Sequence, residues 1–243
     1  MEHTDDSAAR QEAEEFTSRL AAAIMDMLGA RLLGVYRLGS LAHGGFSRRY
    51  SDVDLGLTVE DGLTAAELDG VRHRATALSL AWGAKLSVFW SDRAFALGRF
   101  PPLDRVDYLD HAVALYEREA VRPERPGVDA IRAYLQGQPL ASFQEQVTRC
   151  AQFARLGPGD HKPYLRAHLY PARFVYSWMT GAMNSNDAAV AFLQDNAPAG
   201  LDLDLIARAL RYRHEARDLN DLLPERQKLE AQFAACARLA GSA

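Results

Sequence analysis

Cysteine is scarce: the 243 residues hold two, Cys150 and Cys236. They lie far apart in helical patterns and lack metal-site spacing. That excludes a disulfide framework or a thiolate zinc site and leaves two free thiols suited to a reducing cytoplasm. Long apolar runs are missing as well. No stretch reaches the roughly 18 residues of a membrane helix, and the polar, acidic start Met1-Glu2-His3-Thr4-Asp5-Asp6 is no secretory signal. Nor is there an excess of positive charge. With 28 Lys and Arg against 32 Asp and Glu, the net charge is −4 and the pI near 6.0, which argues against a broad nucleic-acid footprint. What is present is 48% hydrophobic and 25% charged, an ordinary balance for a soluble globular chain of one large domain or two.

One stretch stands out, Val35 to Val59, reading VYRLGSLAHGGFSRRYSDVDLGLTV. A short apolar run, Val35-Tyr36-Arg37-Leu38, breaks at Gly39-Ser40; a second opens at Asp52-Val53-Asp54 and continues Leu55-Gly56-Leu57-Thr58-Val59. Both runs read as strands. Alternate strand residues share a face, so Asp52 and Asp54 point the same way, roughly 7 Å apart along the chain. Val53, Leu55, Leu57 and Val59 then point to the core. Two carboxylates on one face repel unless a cation or proton lies between them. Mg²⁺ suits this pair, because it takes oxygen ligands and keeps room for substrate phosphates. A glycine at a strand end lets backbone N–H groups approach an anion, and Ser40 adds a hydroxyl. Either feature alone is commonly a solvated face or a simple turn. Together they describe a nucleoside triphosphate site.

Leu38-Gly39-Ser40, then Gly44-Gly45, then Tyr50-Ser51-Asp52-Val53-Asp54-Leu55 resembles the signature of the polymerase-β-like nucleotidyltransferase superfamily. It looks most like the aminoglycoside adenylyltransferases of the streptomycin/spectinomycin type. The resemblance implies that Asp52 and Asp54 are catalytic and hold metal, and that Gly39, Ser40 and Ser51 hold the nucleotide's phosphates. It also implies a third acid at the centre of the next strand, Lys85 to Trp90, as metal partner or general base. This chain has Ser87 there, a poor base near neutral pH and a weak magnesium ligand. Two outcomes stay open. Another carboxylate takes over, with Asp92, Asp104 and Asp107 as candidates, or transfer is slow or lost.

The rest of the first half reads as helix and strand. Residues 7–28 are Ala-, Glu- and Leu-rich with helical spacing, closed by Gly29. Thr64 with Glu67 is a capping-box pattern, predicting a helix to about Trp82 that stops at Gly83. Lys85 to Trp90 alternates, with Leu86, Val88 and Trp90 on one face and Lys85, Ser87 and Phe89 on the other. Pro101-Pro102 reads as a loop that forbids helix, with 106–109 and 112–116 each open to a strand. Arg99 and Arg105 are candidates for phosphate contact or for ordinary surface pairs.

Residues 123–127 combine two prolines, a glycine and charges, and read as a linker between domains at 1–122 and 128–243. Beyond it only helical spacing is found, in segments 128–136, 141–156, 162–180, 186–195, 201–218 and 222–240. Pro171 should kink the third or start a new helix, and Ser185 is a good N-cap. The fold class is therefore an α+β domain with a mixed sheet, followed by an all-α helical bundle. In the bundle, Ala172-Arg173-Phe174-Val175-Tyr176, Thr180-Gly181 and Ser185-Asn186-Asp187-Ala188-Ala189 are similar to the family's Ala-Arg-x-Trp-Tyr, Thr-Gly and Ser-Lys-Asp-Ala-Ala runs. This implies an acceptor cleft between the domains, with Asp160 and Asp187 facing cationic groups; helix capping is the other reading of both. Val175 replaces the family's tryptophan, which removes an aromatic surface. The aromatics at 164, 170, 174, 176 and 178 read as core, and His161, His168 and His214 as ordinary surface or core residues.

The function expected is that of a cytoplasmic, Mg²⁺-dependent nucleotidyltransferase. It would move a nucleoside monophosphate, AMP from ATP, to a hydroxyl of a small aminoglycoside-like acceptor, with neither membrane nor nucleic acid as partner. Two alternatives stand beside it: a nucleotide-binding sensor whose chemistry is lost, motivated by Ser87, and transfer to a protein or RNA. Base preference and oligomeric state leave no mark in the sequence.

Overall fold

The computed structural model describes residues 3–215 and 217–241, with side chains from residue 6 onward. Met1, Glu2 and Ala216, which belong to the acidic start and to the 201–218 segment, lie outside the described residues. The chain falls into two compact units, Met1–Arg125 and Pro126–Ala243.

The first unit opens with α1 (His3–Leu28) and a 3-10 turn (Gly29–Arg31), followed by β1 (Leu32–Leu38), the one-turn α2 (Ser40–His43) and β2 (Val53–Val59). Then come α3 (Ala65–Leu78), α4 (Leu80–Gly83), β3 (Leu86–Asp92), the short β4 (Gly98–Arg99), α5 (Pro102–His111) and β5 (Val113–Glu117). The strands form one mixed sheet in the order β4-β3-β2-β1-β5. β2 and β3 run parallel, and the other neighbours are antiparallel.

Alternation decides which face each side chain joins. Val53, Leu55, Leu57 and Val59 are all fully buried against Phe16, Leu20 and Ile24 of α1 and Val71 and Ala75 of α3. Burying each such side chain stabilises by about 1.5–3 kcal/mol, which fixes the register of β2. The opposite face packs Leu33, Tyr36 and Leu38 of β1 and Phe89 of β3 against Phe95, Phe100 and, from α5, Tyr108. Gly56 belongs to this second face, since a methyl there would meet Leu38 and Phe100. Asp54, two residues earlier, therefore stands on the side of the sheet that α5 covers.

In the first unit the sequence reading is corrected at two helices. Residues 102–111 form α5 rather than a loop and a strand. Proline breaks a helix only where an N–H is needed; Pro102 occupies the first position, whose N–H has no intrahelical partner. The helix expected from Thr64 to Trp82 is interrupted at Ser79, which is extended (φ −161°, ψ 117°) and accepts a hydrogen bond from the Trp82 N–H, starting α4 afresh. The capping box at its start is present: the Glu67 N–H donates to Thr64 Oγ1 (3.2 Å) and the Thr64 N–H to Glu67 Oε2 (2.9 Å).

The second unit contains α6 (Val128–Gln136), α7 (Gln138–Ala151), α8 (His161–Thr180), α9 (Asn186–Asn196) and α10 (Leu203–His214), then a 3-10 turn (Leu219–Glu225) and α11 (Lys228–Leu239). No strand occurs among its described residues. α8 is the central helix, touching α6, α7, α9, α10 and α11, with Tyr164, Leu165, Phe174 and Val175 buried. It continues through Pro171 as one element and ends at Gly181, whose left-handed φ of 67° supplies the C-cap. Ser185 caps α9 by accepting from the Ala188 N–H at 3.2 Å. Cys150 and Cys236 are buried free thiols; burial raises the first to about 11 and the second to about 12. Among the described residues no helix is long and apolar enough to cross a membrane.

Candidate functional site

The chain reverses at the end of β1 through Gly39, which takes a left-handed φ of 60°. A side chain is excluded there twice over. The conformation is strained for an L-residue, and a Cβ would fall 2.2 Å from Asp54 Oδ2. The glycine backbone therefore lies directly against the second carboxylate of the D-x-D pair. Leu38 and Asp54 are paired across β1 and β2, and Asp54 and Ser87 across β2 and β3. The Gly-Ser turn, both aspartates and the serine at the third position thus gather at one end of the sheet.

The supporting shell is specific. The Ser51 hydroxyl accepts from the Ser47 N–H (2.9 Å) while the Ser51 N–H donates to the Ser47 carbonyl (2.8 Å). Ser51 thereby closes the turn that delivers Asp52. Asp6 accepts from the Arg48 N–H (2.8 Å), and Lys85 reaches the Arg48 carbonyl, so α1 and the start of β3 pin this loop from both sides. Ser40, at the first position of α2, is half-buried.

A residue from α5 enters the same site. Asp107, 4% exposed, accepts the Gly39 N–H at 2.9 Å through Oδ2. Its Oδ1 is buried and makes no hydrogen bond; it lies 4.0 Å from Nε2 of His43, whose Nδ1 faces the Gly44 carbonyl at 3.1 Å. The His43 ring meets His111 edge-on at 5.7 Å. The Gly39 amide, read from sequence as a phosphate donor, is thus engaged by a carboxylate. His43 was not singled out by sequence. The signal that could have found the α5 contribution is the spacing Asp104, Asp107, His111, one helical face, which the Pro-Pro reading concealed.

The other candidates separate. Asp92 sits at the far end of β3, five residues beyond Ser87, where Oδ1 accepts from the Ala96 and Leu97 N–H groups (both 2.8 Å). The Leu97 N–H, followed by lesser backbone donors, lowers its pKa. It braces the β3–β4 turn and is remote from Asp54. Asp104 is half-buried one turn before Asp107 on α5. Arg105 donates to the carbonyls of Phe100 (2.9 Å) and Phe95 (3.3 Å), holding the loop before α5, and Arg99 is exposed over the Phe89 ring.

In the second unit, Asp160 precedes α8 without capping it; its Oδ2 accepts from the Gly157 N–H at 3.1 Å. Asp187, in the first turn of α9, lies 2.7 Å from His214 Nε2, a partner that sequence did not reveal. The His214 hydrogen bond lowers the Asp187 pKa, and its Oδ2 is buried without a hydrogen bond. Val175 is fully buried, so this position offers no stacking surface.

Among the described residues no group of three His, Cys, Asp or Glu side chains is gathered closely enough to hold a metal ion alone. The first unit can offer two adjacent carboxylates, which fits a hard cation whose remaining ligands are water and phosphate oxygens.

No protein-family model matches the chain, and no curated protein is significantly similar to it in sequence. Solved structures do match. Spectinomycin adenyltransferase AAD(9) from Enterococcus faecialis, crystallised with ATP and spectinomycin, superposes with a TM-score of 0.67 over 90% of this chain and 97% of its own, at 14% identity. A toxin–antitoxin structure with AMP-PNP overlaps far more loosely, with a TM-score of 0.30, 13% identity and 54% of this chain against 90% of its own. The first of these likenesses establishes the architecture: a mixed sheet with helices followed by a helical region, the fold seen in AAD(9).

Proposed function

We propose that the chain is a nucleotidyltransferase that moves AMP from ATP to a hydroxyl of a small, aminoglycoside-like acceptor in the cytoplasm. The observation that carries this reading is the packing of the Gly39 backbone against Asp54. It sets the Gly39-Ser40 turn and the carboxylate pair side by side on adjacent strands. Asp52 and Asp54 would hold Mg²⁺, which when bound neutralises the triphosphate and activates its α-phosphorus. Ser40 would meet the phosphates, while Gly39 and Ser51 hold the turn and the β2 start in place. The likeness to a fold crystallised elsewhere with ATP and spectinomycin supports a nucleotide and a small acceptor.

The test pairs calorimetric titration of Mg²⁺-ATP with a pyrophosphate-release assay across an aminoglycoside panel that includes spectinomycin and streptomycin. Asp52→Asn should lower turnover by a factor of 100 to 1,000 or so, the order expected when one charge-stabilising group is removed. Unchanged turnover in that variant sinks the assignment. The second reading, a nucleotide sensor without transfer, rests on Ser87; it is favoured by tight ATP binding with no release from any acceptor.

A further inference from the structure

We propose that Asp107 is the proton acceptor of the transfer step, taking the role left open by Ser87. The inference rests on the nucleotidyltransferase reading above. The fold aligns residue 87 beside Asp54, and a hydroxyl there cannot take a proton near neutral pH. The sheet face that bears Asp54 and Ser87 is the face that α5 covers. A carboxylate projecting from α5 therefore reaches the same ground from the opposite side. Asp107 does so: Oδ2 is fixed by the Gly39 N–H, and Asp54 lies against the same glycine. The two carboxylates are thus no more than about 8 Å apart.

Its second oxygen distinguishes Asp107 from a structural brace. Leaving a buried carboxylate oxygen without a hydrogen bond is costly, and such orphans call for a reason. Oδ1 is such an oxygen, with His43 Nε2 as its neighbour at 4.0 Å. His43 ends the four-residue α2 and is followed by Gly44 and Gly45, both at positive φ (96° and 74°). In the step, the acceptor O–H bond breaks and its proton passes to Oδ1. The oxygen's electron pair forms the new bond to the α-phosphorus. The bond from that phosphorus to the bridging oxygen breaks, and pyrophosphate leaves with its electrons.

The experiment compares wild type, Asp107→Asn, Asp104→Asn and the double variant Ser87→Glu/Asp107→Asn. It measures Mg²⁺-ATP affinity and pyrophosphate release, using whichever panel acceptor the wild type turns over, or water where none does. Asn keeps the oxygen that accepts the Gly39 N–H and removes the proton acceptor. Asp107→Asn should hold its affinity within about threefold while turnover falls about 100-fold or more. Ser87→Glu should restore part of that loss, because it returns a carboxylate beside Asp54, and Asp104→Asn should leave turnover near the wild-type value. Unchanged turnover in Asp107→Asn overturns the proposal. So does a parallel loss of nucleotide affinity without rescue by Ser87→Glu, which marks a structural brace, or a loss confined to Asp104→Asn. A wild type that neither binds Mg²⁺-ATP nor releases pyrophosphate removes the nucleotidyltransferase reading itself, and this inference with it.

Discussion

Gly39 concentrates the constraints of the first unit. Its φ is left-handed, its amide serves Asp107, and the space a methyl would need is filled by Asp54 Oδ2 at 2.2 Å. Gly39→Ala should therefore cost roughly 1–3 kcal/mol of stability through backbone strain and also turn Asp54 aside. Denaturant unfolding and Mg²⁺-ATP titration on one sample check both effects; a variant with wild-type stability and affinity contradicts this account. The sequence displayed this residue and the Asp52/Asp54 pair plainly, because glycine at a strand end and alternation along a strand are local properties. It offered Asp107 only as one of three candidate carboxylates and did not reveal His43, since their approach depends on how α5 is laid over the sheet. The pairing of Asp187 with His214 was hidden for the same reason: α9 and α10 must pack before the two side chains meet.

Helices were legible where capping and periodicity agreed, as at Thr64–Glu67 and Ser185. They were misread where a punctuating residue had two meanings. Pro102 starts α5 because the first helical position has no intrahelical partner for its N–H, and Ser79 halts α3 only to cap α4. Within α8, His168 is completely buried, and neither ring nitrogen has a hydrogen-bond partner. Burial, aided by the Arg208 charge, lowers its pKa from 6.5 to about 4. The unfolded chain therefore binds a proton between those values that the folded helix refuses. Stability is full above about pH 6.5 and falls as the pH drops toward 4, by about 3 kcal/mol over that window. Replacing His168 by Leu should flatten that acid limb, read from urea midpoints between pH 7 and 4. An unaltered slope would show that other groups set it.

For the whole chain, the succession from a half with strands and helices to a half of helices followed from hydrophobic periodicity, and it agrees with the fold seen in AAD(9). Strand adjacency did not follow, because β1 pairs with β5 across most of the unit's length, and separation in sequence gives no sign of it. That pairing has a consequence for biosynthesis. Until residue 113 has left the ribosome, β1 carries a bare row of amide and carbonyl groups along one margin, an invitation to pair with another nascent chain. The stretch from Pro102 to Glu117 brings both the carboxylate that fastens Gly39 and the strand that seals this margin. A newly made molecule therefore gains its finished turn and its protection from clumping in the same moment, and an early stop codon would forfeit both.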